Sequence, residues 1–184
     1  MTTSARSRRD GAPRNITLGI DTGDTAGFGL AAWEDGQRRA VLARAWQCDR
    51  DSAVLLLGWI LRDFVLTPVA AVQVEAFDDR PKSRGLHGTS PSLIRRQVTE
   101  LERVCVLSGV PVHVRTASQV KTWATDARLT AAGLYAFTAG ASMSKHARDA
   151  ARHALFCAVH DCAVPDPLSR ARTAAARAGR DVPG

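Results

Sequence analysis

The sequence predicts an α/β protein built on a mixed five-stranded sheet with helices on both faces. Two observations lead to this fold class. Three segments with strand character follow one another near the N-terminus, at residues 16–21, 27–34 and 39–47, and short polar turns join them. Beyond them, apolar runs alternate with segments of helical periodicity, which gives the order β-β-β-α-β-α-β-α-α. Antiparallel strands that lead into alternating helices and strands are typical of a mixed sheet.

Local signals place the individual elements. The turn at residues 34–36, Glu-Asp-Gly, predicts a hairpin between the second and third strands. Apolar residues at helical spacing, a cap at Asp51 and a stop at Pro68 predict a helix over 51–65. An uninterrupted apolar run from Val69 to Val74 predicts a strand that is buried on both faces. The later elements are a helix over 91–107, a strand over 110–114, a helix capped by Ser118, and a helix over 145–162 that ends before Pro165.

The composition predicts one domain between two tails. The chain has 184 residues, 45% of them hydrophobic, which is enough for a substantial core. We predict a folded domain over 16–163, with disordered basic tails over 1–15 and 164–184. The net charge of +7 lies mostly in those tails, because eight arginines there face three aspartates. The tails are either solubilising ends or salt-sensitive arms that touch phosphates, and composition does not separate the two.

The sequence carries no signal for a membrane or for secretion. No apolar stretch reaches the ~18 residues of a transmembrane helix, and the arginine-rich N-terminus lacks the apolar region of a secretory signal. We therefore expect a cytoplasmic protein without a membrane partner. The four cysteines form no Cys-x-x-Cys pair and lie in apolar contexts, so we expect buried, reduced thiols rather than metal ligands.

Acidic residues mark the predicted C-terminal ends of two strands. Asp21 ends the first strand just ahead of Gly23, and Glu75 follows the apolar run from Val69 to Val74. This edge of the sheet is where open α/β folds place their sites. A buried carboxylate is costly unless a cation neutralises it. We therefore expect these acids to have a cationic partner.

The last predicted helix supplies further metal ligands. His146 and Asp149 are three residues apart, so they share one helix face, and the alanines around them let the helix approach the sheet closely. Taken alone, such a pair is more often an ordinary surface or capping pair. Together with Asp21 and Glu75 it gives three carboxylates and one imidazole, which suit Mg²⁺ or Mn²⁺. Two such ions can drive phosphodiester cleavage. His153, four residues after Asp149, is given a supporting or structural role.

These motifs, in this order, resemble the RuvC family of Holliday-junction resolvases, which has the ribonuclease H-like fold. The resemblance covers residues 16–160 and is closest to the phage-type branch, for which the expected location is the host cytoplasm. It rests on four segments: Gly19-Ile20-Asp21-Thr22-Gly23 with Gly29-Leu30 behind it, Val74-Glu75, Val120-Lys121, and His146-x-x-Asp149-Ala150.

The resemblance implies a hydrolase, namely a homodimeric, Mg²⁺-dependent endonuclease that nicks branched DNA symmetrically, with the four-way junction as its partner. The sequence does not tell whether the biological role is recombination, repair or the processing of branched DNA. Asp21, Glu75, His146 and Asp149 would be the catalytic metal ligands for two Mg²⁺ ions, or for Mn²⁺ in their place. Lys121 would contact the scissile phosphate and stabilise developing charge.

The last motif departs from the family pattern, because it continues to Arg152. A register that uses Asp149 and Arg152 would leave the site with three ligands. We prefer the register of His146 and Asp149, because alanine then follows the second ligand as it does in the family.

Basic residues after Glu75 predict the DNA-facing surface. Arg80, Lys82 and Arg84 lie in a polar loop, where contacts with phosphates would place DNA over the acidic site. For each of these residues taken alone, a solvated position in a charged loop is nearly as good an explanation as a DNA contact. Lys121 joins them as a predicted DNA contact. The resemblance also assigns the helix at 91–108 to the dimer interface, with apolar residues that either contact a second copy or face the sheet: Leu93, Val98, Leu101 and Val104.

Three other functions stay open. A ribonuclease H-like nuclease that acts on RNA–DNA hybrids or flaps would use the same metal chemistry. A non-catalytic junction-binding protein would keep the fold, although the intact Asp21, Glu75 and Asp149 argue against such decay. A nucleotide-phosphate binder of the actin and sugar-kinase type also begins with strand–Asp–x–Gly, but that architecture needs two such domains and this chain has room for one.

Overall fold

The computed structural model describes residues 15–63, 68–77, 90–137 and 145–169, and these form a five-stranded sheet between two layers of helices. The strands are β1 (Asn15–Asp21), β2 (Thr25–Trp33), β3 (Leu42–Asp49), β4 (Val69–Ala76) and β5 (Val112–Thr116). The helices are α1 (Arg50–Asp63), α2 (Pro91–Leu107), α3 (Ala117–Lys121), α4 (Asp126–Ala131) and α5 (Lys145–His160), with a 3₁₀ turn at Tyr135–Phe137. The predicted fold class is confirmed.

The sheet is mixed, with the strand order β3-β2-β1-β4-β5. β2 runs antiparallel to both of its neighbours, β1 and β3, as the predicted hairpins require. β4 runs parallel to β1, and β5 runs parallel to β4. Parallel strands end at the same edge of a sheet. The C-terminal ends of β1 and β4 therefore lie side by side.

Two helices begin at a different capping residue from the one predicted. The cap of α1 is Asp49 rather than Asp51, because the Asp49 carboxylate accepts hydrogen bonds from the backbone N–H of Ser52 at 2.9 Å and from its hydroxyl at 2.7 Å. Helix α3 follows Thr116, not Ser118. In both cases the capping residue is also the last residue of a strand. The sequence contains a second suitable cap two residues downstream, and the strand end decides between the two.

The two faces of the sheet are packed differently. Successive residues of a strand point to opposite faces. One face, called the aliphatic face here, packs large apolar side chains against α1 and α2. The other, called the α5 face, is covered by α5, and its β1 and β2 positions are small or polar except for Trp33. The main contributors to the aliphatic face are Leu18, Ile20, Phe28, Leu57, Val72 and Leu101, and those to the α5 face include Thr17, Gly19, Asp21, Gly27 and Gly29.

The α2 residues predicted for the dimer interface divide between these environments. Val98 and Leu101 are buried in the aliphatic face, and Val104 packs against it. Leu93 is 41% exposed. Of the two alternatives, facing the sheet therefore holds for Val98, Leu101 and Val104.

Residues 164–169 belong to the predicted C-terminal tail, and in the structure they contact the domain. Val164 is buried in a cluster with Trp33. Asp166 accepts hydrogen bonds from Arg128, and the carbonyl of Ser169 accepts one from Arg38. Asn15, the last residue of the predicted N-terminal tail, begins β1, and residues 1–14 and 170–184 lie outside the described residues. Among the helices described here, none is long and apolar enough to cross a membrane.

Candidate active site

Two carboxylates meet where β1 and β4 end. Ile20 pairs with Val74 in the parallel ladder, so Asp21 and Glu75 follow side by side at the same edge. The hydroxyl of Thr22 donates a hydrogen bond to the backbone carbonyl of Glu75 at 3.0 Å, which ties the two strand ends together. The Asp21 side chain is 6% exposed and that of Glu75 is 15% exposed. Both acids are thus largely withdrawn from water.

Helix α5 brings three more side chains to this edge. His146, Asp149 and His153 follow one another at spacings of three and four residues and share the helix face that packs on the sheet. Gln47 of β3 fixes where the helix begins, because its Oε1 accepts hydrogen bonds from the backbone N–H groups of His146 at 3.1 Å and Ala147 at 3.3 Å. These N–H groups have no partner within a helix. The Gln47 amide therefore does for α5 what a capping residue does.

Glycines let α5 lie directly on the strands. A Cβ atom at Gly19 would lie 2.0 Å from the carbonyl oxygen of Ala150, and one at Gly27 would lie 2.1 Å from that of His146. Any side chain at either position would push the helix away from the sheet. Gly19 of the first sequence motif and Gly27 of β2 therefore set the distance between the acids of the sheet and the ligands of the helix.

Asp21 and His146 form a close pair, with His146 Nδ1 2.7 Å from Asp21 Oδ2. Burial raises the pKa of Asp21 to about 7; the hydrogen bond with His146 opposes this rise, and the negative charges of Glu75 and Asp149 add to it. The same hydrogen bond raises the pKa of His146. Both shifts keep a proton between the two side chains near neutral pH.

Lys121 lies between the other two acids. Its Nζ is 2.8 Å from Asp149 Oδ2 and 3.6 Å from Glu75 Oε2. Burial lowers the pKa of Lys121, but the nearby carboxylates outweigh that effect and the pKa is raised. The balance is opposite at Glu75, where burial raises the pKa but the hydrogen bond with His153 and the charge of Lys121 bring it below its usual range. Glu75 is therefore held as a carboxylate.

Arg152 and His146, the residues that distinguish the two registers of the last motif, have different partners in the structure. Arg152 donates hydrogen bonds to Asp149 and to Asp126, while His146 contacts Asp21. Of the two, only the imidazole can bind a divalent cation, because a guanidinium has no acceptor atom. The arrangement favours the register of His146 and Asp149.

A second group of potential ligand atoms lies at the end of α5. One atom each from His113, Cys157 and Asp161 lies within 4.8 Å of the others. Both carboxylate oxygens of Asp161 already accept hydrogen bonds from Arg115, at 2.7 and 2.8 Å. A cation bound there would compete with the guanidinium, so this group fits a salt bridge better than a metal site.

Five of the predicted site residues converge at the sheet edge, namely Asp21, Glu75, Lys121, His146 and Asp149. The other predicted DNA contacts, Arg80, Lys82 and Arg84, lie outside the described residues. Sequence reasoning missed Gln47 and Gln73, and it left His153 without a partner. Gln73 did carry a signal, because it is a polar residue inside an otherwise apolar strand. Gln47 gave none, since its role depends on how β3 lies against the start of α5.

Comparisons with known proteins bear on the fold. The sequence matches no protein-family model and no curated protein. Among solved structures, the chain is similar to RuvC of Thermus thermophilus, with a TM-score of 0.54 and 20% identity, over 78% of this chain and 93% of that one. It is also similar to T. thermophilus RuvC in complex with a Holliday junction substrate, with a TM-score of 0.51 and 19% identity, over 78% and 92% of the two chains.

The fold and the sheet edge together define the class of domain. A five-stranded mixed sheet with two antiparallel and two parallel strand pairings, covered by helices on both faces, is a ribonuclease H-like α/β fold. Within that class the chain has a RuvC-like fold. The fold-level resemblance predicted from the sequence motifs is confirmed.

Proposed function

We propose that this protein is a metal-dependent endonuclease that cleaves phosphodiester bonds in branched DNA, and that it resolves four-way junctions by paired nicks. One observation carries the proposal: three carboxylates, Asp21, Glu75 and Asp149, converge with His146 at the edge of a RuvC-like sheet. The choice of substrate is supported by the likeness to T. thermophilus RuvC, whose structure holds a Holliday junction substrate.

The donor set fits divalent cations with hard character. Three carboxylates and one imidazole are ligands that suit Mg²⁺ and Mn²⁺. Asp21 adds a physical reason, because burial, and to a lesser extent the negative charges of Glu75 and Asp149, raise its pKa to about 7, and a bound cation would offset both effects. We therefore assign Asp21, Glu75, His146 and Asp149 as the metal ligands. Two such ions, when bound, would supply an activated water and stabilise the leaving oxygen of the phosphodiester.

Lys121 has a separate role in this proposal. Its ammonium group lies against Asp149 and Glu75, and its side chain is 36% exposed, so it is held at the site and still reaches the surface. A fixed positive charge at that position stabilises negative charge that develops on a phosphate in the transition state. We propose that Lys121 contacts the scissile phosphate. Further DNA contacts are proposed for Arg80, Lys82 and Arg84 of the loop that follows Glu75.

Paired nicks require two active sites, so the proposal includes a homodimer. Apolar side chains on the helices that cover the aliphatic face support it, because α1 exposes Leu55 and Trp59 and α2 exposes Leu93, Val106 and Leu107. Exposed apolar area of this kind is what a partner surface buries. Val98 and Leu101 are not part of the proposed interface, since the sheet already covers them.

The test compares substrates and metals in one assay. A labelled four-way junction, a linear duplex, a flap and an RNA–DNA hybrid are each incubated with Mg²⁺, Mn²⁺ or EDTA. We expect symmetric nicks in opposite strands of the junction, and no cleavage with EDTA. Cleavage of the flap or the hybrid instead would keep the metal chemistry and replace the substrate. Tight junction binding without cleavage of any substrate would favour a non-catalytic junction-binding protein.

Two substitutions link the activity to the acids. Asp21→Asn and Glu75→Gln remove one carboxylate charge each, and we expect each to reduce cleavage by at least ~100-fold. Junction binding should persist, because Lys121 and the other cations remain. Asp63→Asn is the matched control, since Asp63 lies exposed at the end of α1. Full cleavage by both site variants, with the fold intact by circular dichroism, would overturn the site assignment.

A further inference from the structure

A chain of hydrogen bonds runs from Glu75 to Asp161, just beyond α5. His153 Nε2 lies 2.9 Å from Glu75 Oε2, and Gln73 Nε2 lies 2.9 Å from His153 Nδ1. Arg115 donates to Gln73 Oε1 at 2.6 Å and to both carboxylate oxygens of Asp161 at 2.7 and 2.8 Å. The chain therefore joins β4, β5 and α5 behind one of the site carboxylates.

The arginine at the far end imposes one direction on the whole chain. A guanidinium only donates hydrogen bonds, so the Gln73 oxygen must face Arg115 and the Gln73 NH₂ group must face His153. His153 Nδ1 then accepts that hydrogen bond, which leaves the ring proton on Nε2. A ring that carries its proton on Nε2 donates to Glu75. Arg115 thus selects the histidine tautomer that holds the carboxylate.

The surroundings make each link costly to break. Gln73 and His153 have no exposed surface, and a buried polar atom without a partner is unfavourable. The strands set the spacing, because Glu75 and Arg115 are register partners in the parallel ladder of β4 and β5. The bond from His153 also engages one oxygen of Glu75, which orients the carboxylate within the site.

We propose that Gln73, His153 and Arg115 are positioning residues that hold Glu75 in place as a metal ligand, with His153 as a fixed Nε2–H donor. The proposal rests on the metal-dependent nuclease function proposed above. Outer partners of this kind orient a ligand, and their loss typically weakens metal binding or activity by about 10- to 100-fold. The donor here is a histidine in the middle of α5. The helix that carries the proposed ligands His146 and Asp149 therefore also orients Glu75, a proposed ligand from the sheet.

The first variant reverses the direction of the hydrogen bond between residue 73 and His153 without removing it. In Gln73→Glu, a carboxylate replaces the amide that donates to His153 Nδ1, while the contact with Arg115 is kept. His153 then lies between two carboxylates, which favours a proton on both ring nitrogens, so the bond at Nδ1 is reversed while Nε2–H still donates to Glu75. Gln73→Met removes the link without adding charge, and it is the variant that leaves His153 Nδ1 without its hydrogen-bond partner. Gln37→Glu, in the exposed turn between β2 and β3, makes the same chemical change away from the chain.

Three measurements are made on the full-length protein. Long-range ¹H–¹⁵N spectra of the histidine rings report which nitrogen of His153 carries the proton. Calorimetric titration with Mg²⁺ or Mn²⁺ reports metal affinity, and a mobility shift reports binding of a four-way junction. We expect an Nε2–H ring in the wild type and protons on both ring nitrogens in Gln73→Glu. We expect Mg²⁺ affinity at least ~10-fold weaker in Gln73→Met, with junction affinity unchanged. Gln37→Glu should match the wild type.

The outcomes separate this proposal from the proposed function. An Nδ1–H ring in the wild type, or Mg²⁺ affinity in folded Gln73→Met equal to that of the wild type, would overturn the positioning role. A wild type that binds no divalent cation and cleaves nothing would instead overturn the nuclease function. In that event the positioning role toward a metal fails with it, and the ring spectra alone decide whether the chain fixes the histidine.

Discussion

The two faces of the sheet differ in the residues that pack them and in what that packing does. The aliphatic face fills its space with large side chains such as Leu18, Leu57 and Leu101. The α5 face brings backbone against backbone, and at Gly19 and Gly27 there is no room for even one Cβ atom. The candidate site lies on the second face. The aliphatic face stabilises the fold by burying apolar surface, whereas the α5 face holds the side chains of the candidate site in position.

This difference follows from what the site requires. Two of its acids come from strand ends and one from a helix, so the three meet only if the helix lies close to the sheet. Large side chains between them would hold the helix roughly 10 Å from the sheet, the spacing usual for packed layers. Without large side chains between them, the helix and the sheet have little room to adjust to a substitution, because packed backbone atoms cannot rotate aside as a side chain can. The α5 face should therefore tolerate far less change than the aliphatic face and its helices.

The largest expected effect is that of Gly19→Ala. The new Cβ would lie 2.0 Å from Ala150 O and 2.3 Å from Ala154 N, both backbone atoms of α5. We expect a loss of about 3 kcal/mol in the free energy of unfolding, because the helix must move as a whole. Urea denaturation followed by circular dichroism measures it. A loss below about 1 kcal/mol would show that α5 does not lie as close to β1 as the structure places it.

The next effect is the pH dependence of stability that the site itself creates. Folding raises the pKa of Asp21 from 3.8 to about 7 and raises that of His146. The folded state therefore binds more protons than the unfolded state, and the stability gained below pH 4 is lost as the pH rises through about 7. We expect the metal-free wild type to lose about 2 kcal/mol more than Asp21→Asn between about pH 5 and pH 8. Urea titrations with EDTA across that range measure the difference.

Asp49→Asn provides the control for this prediction. Hydrogen bonds from the Ser52 hydroxyl and backbone N–H lower the pKa of Asp49 below its usual range. Asp49 is therefore ionised between about pH 5 and pH 8 in both the folded and unfolded states. Asparagine also caps helices, so this replacement should shift stability by a constant amount and leave the slope with pH unchanged. Equal slopes for the wild type and Asp21→Asn would contradict the raised pKa of Asp21.

Most of the fold could be predicted because its signals are local. The apolar run before Glu75 predicts a buried strand, and β4 covers Val69–Ala76. The hairpin turn and the helical periodicity likewise depend on neighbours in the sequence. The caps Asp49 and Thr116 were missed because each is the last residue of a strand, and the competing caps Asp51 and Ser118 are equally good by local rules. Pairing between strands, which the local pattern does not contain, decides such cases.

The residues of the candidate site also fall into those that local sequence signals predict and those that they do not. The sequence indicated Asp21, Glu75, His146 and Asp149 because motif order and helix spacing place them. It did not indicate that His153 contacts Glu75, or that Gln73 and Arg115 continue the chain of hydrogen bonds from His153. Those contacts depend on three elements meeting at one point, and only the folded chain brings them together. Residues that support a ligand are therefore harder to predict than the ligands themselves.

The smallest expected effect is that of Gly58→Ala, which makes the same substitution as Gly19→Ala in a helix over the aliphatic face. A Cβ at Gly58 would meet only Val104 Cγ1, at 3.9 Å, which is an ordinary contact. Alanine also restricts the unfolded chain and suits the interior of α1, so we expect a gain of about 0.5–1 kcal/mol in the free energy of unfolding. Urea denaturation in parallel with Gly19→Ala measures both. Opposite signs for the two variants follow if the faces differ as described, and a loss in both would mean that α1 packs as closely on its neighbours as α5 does.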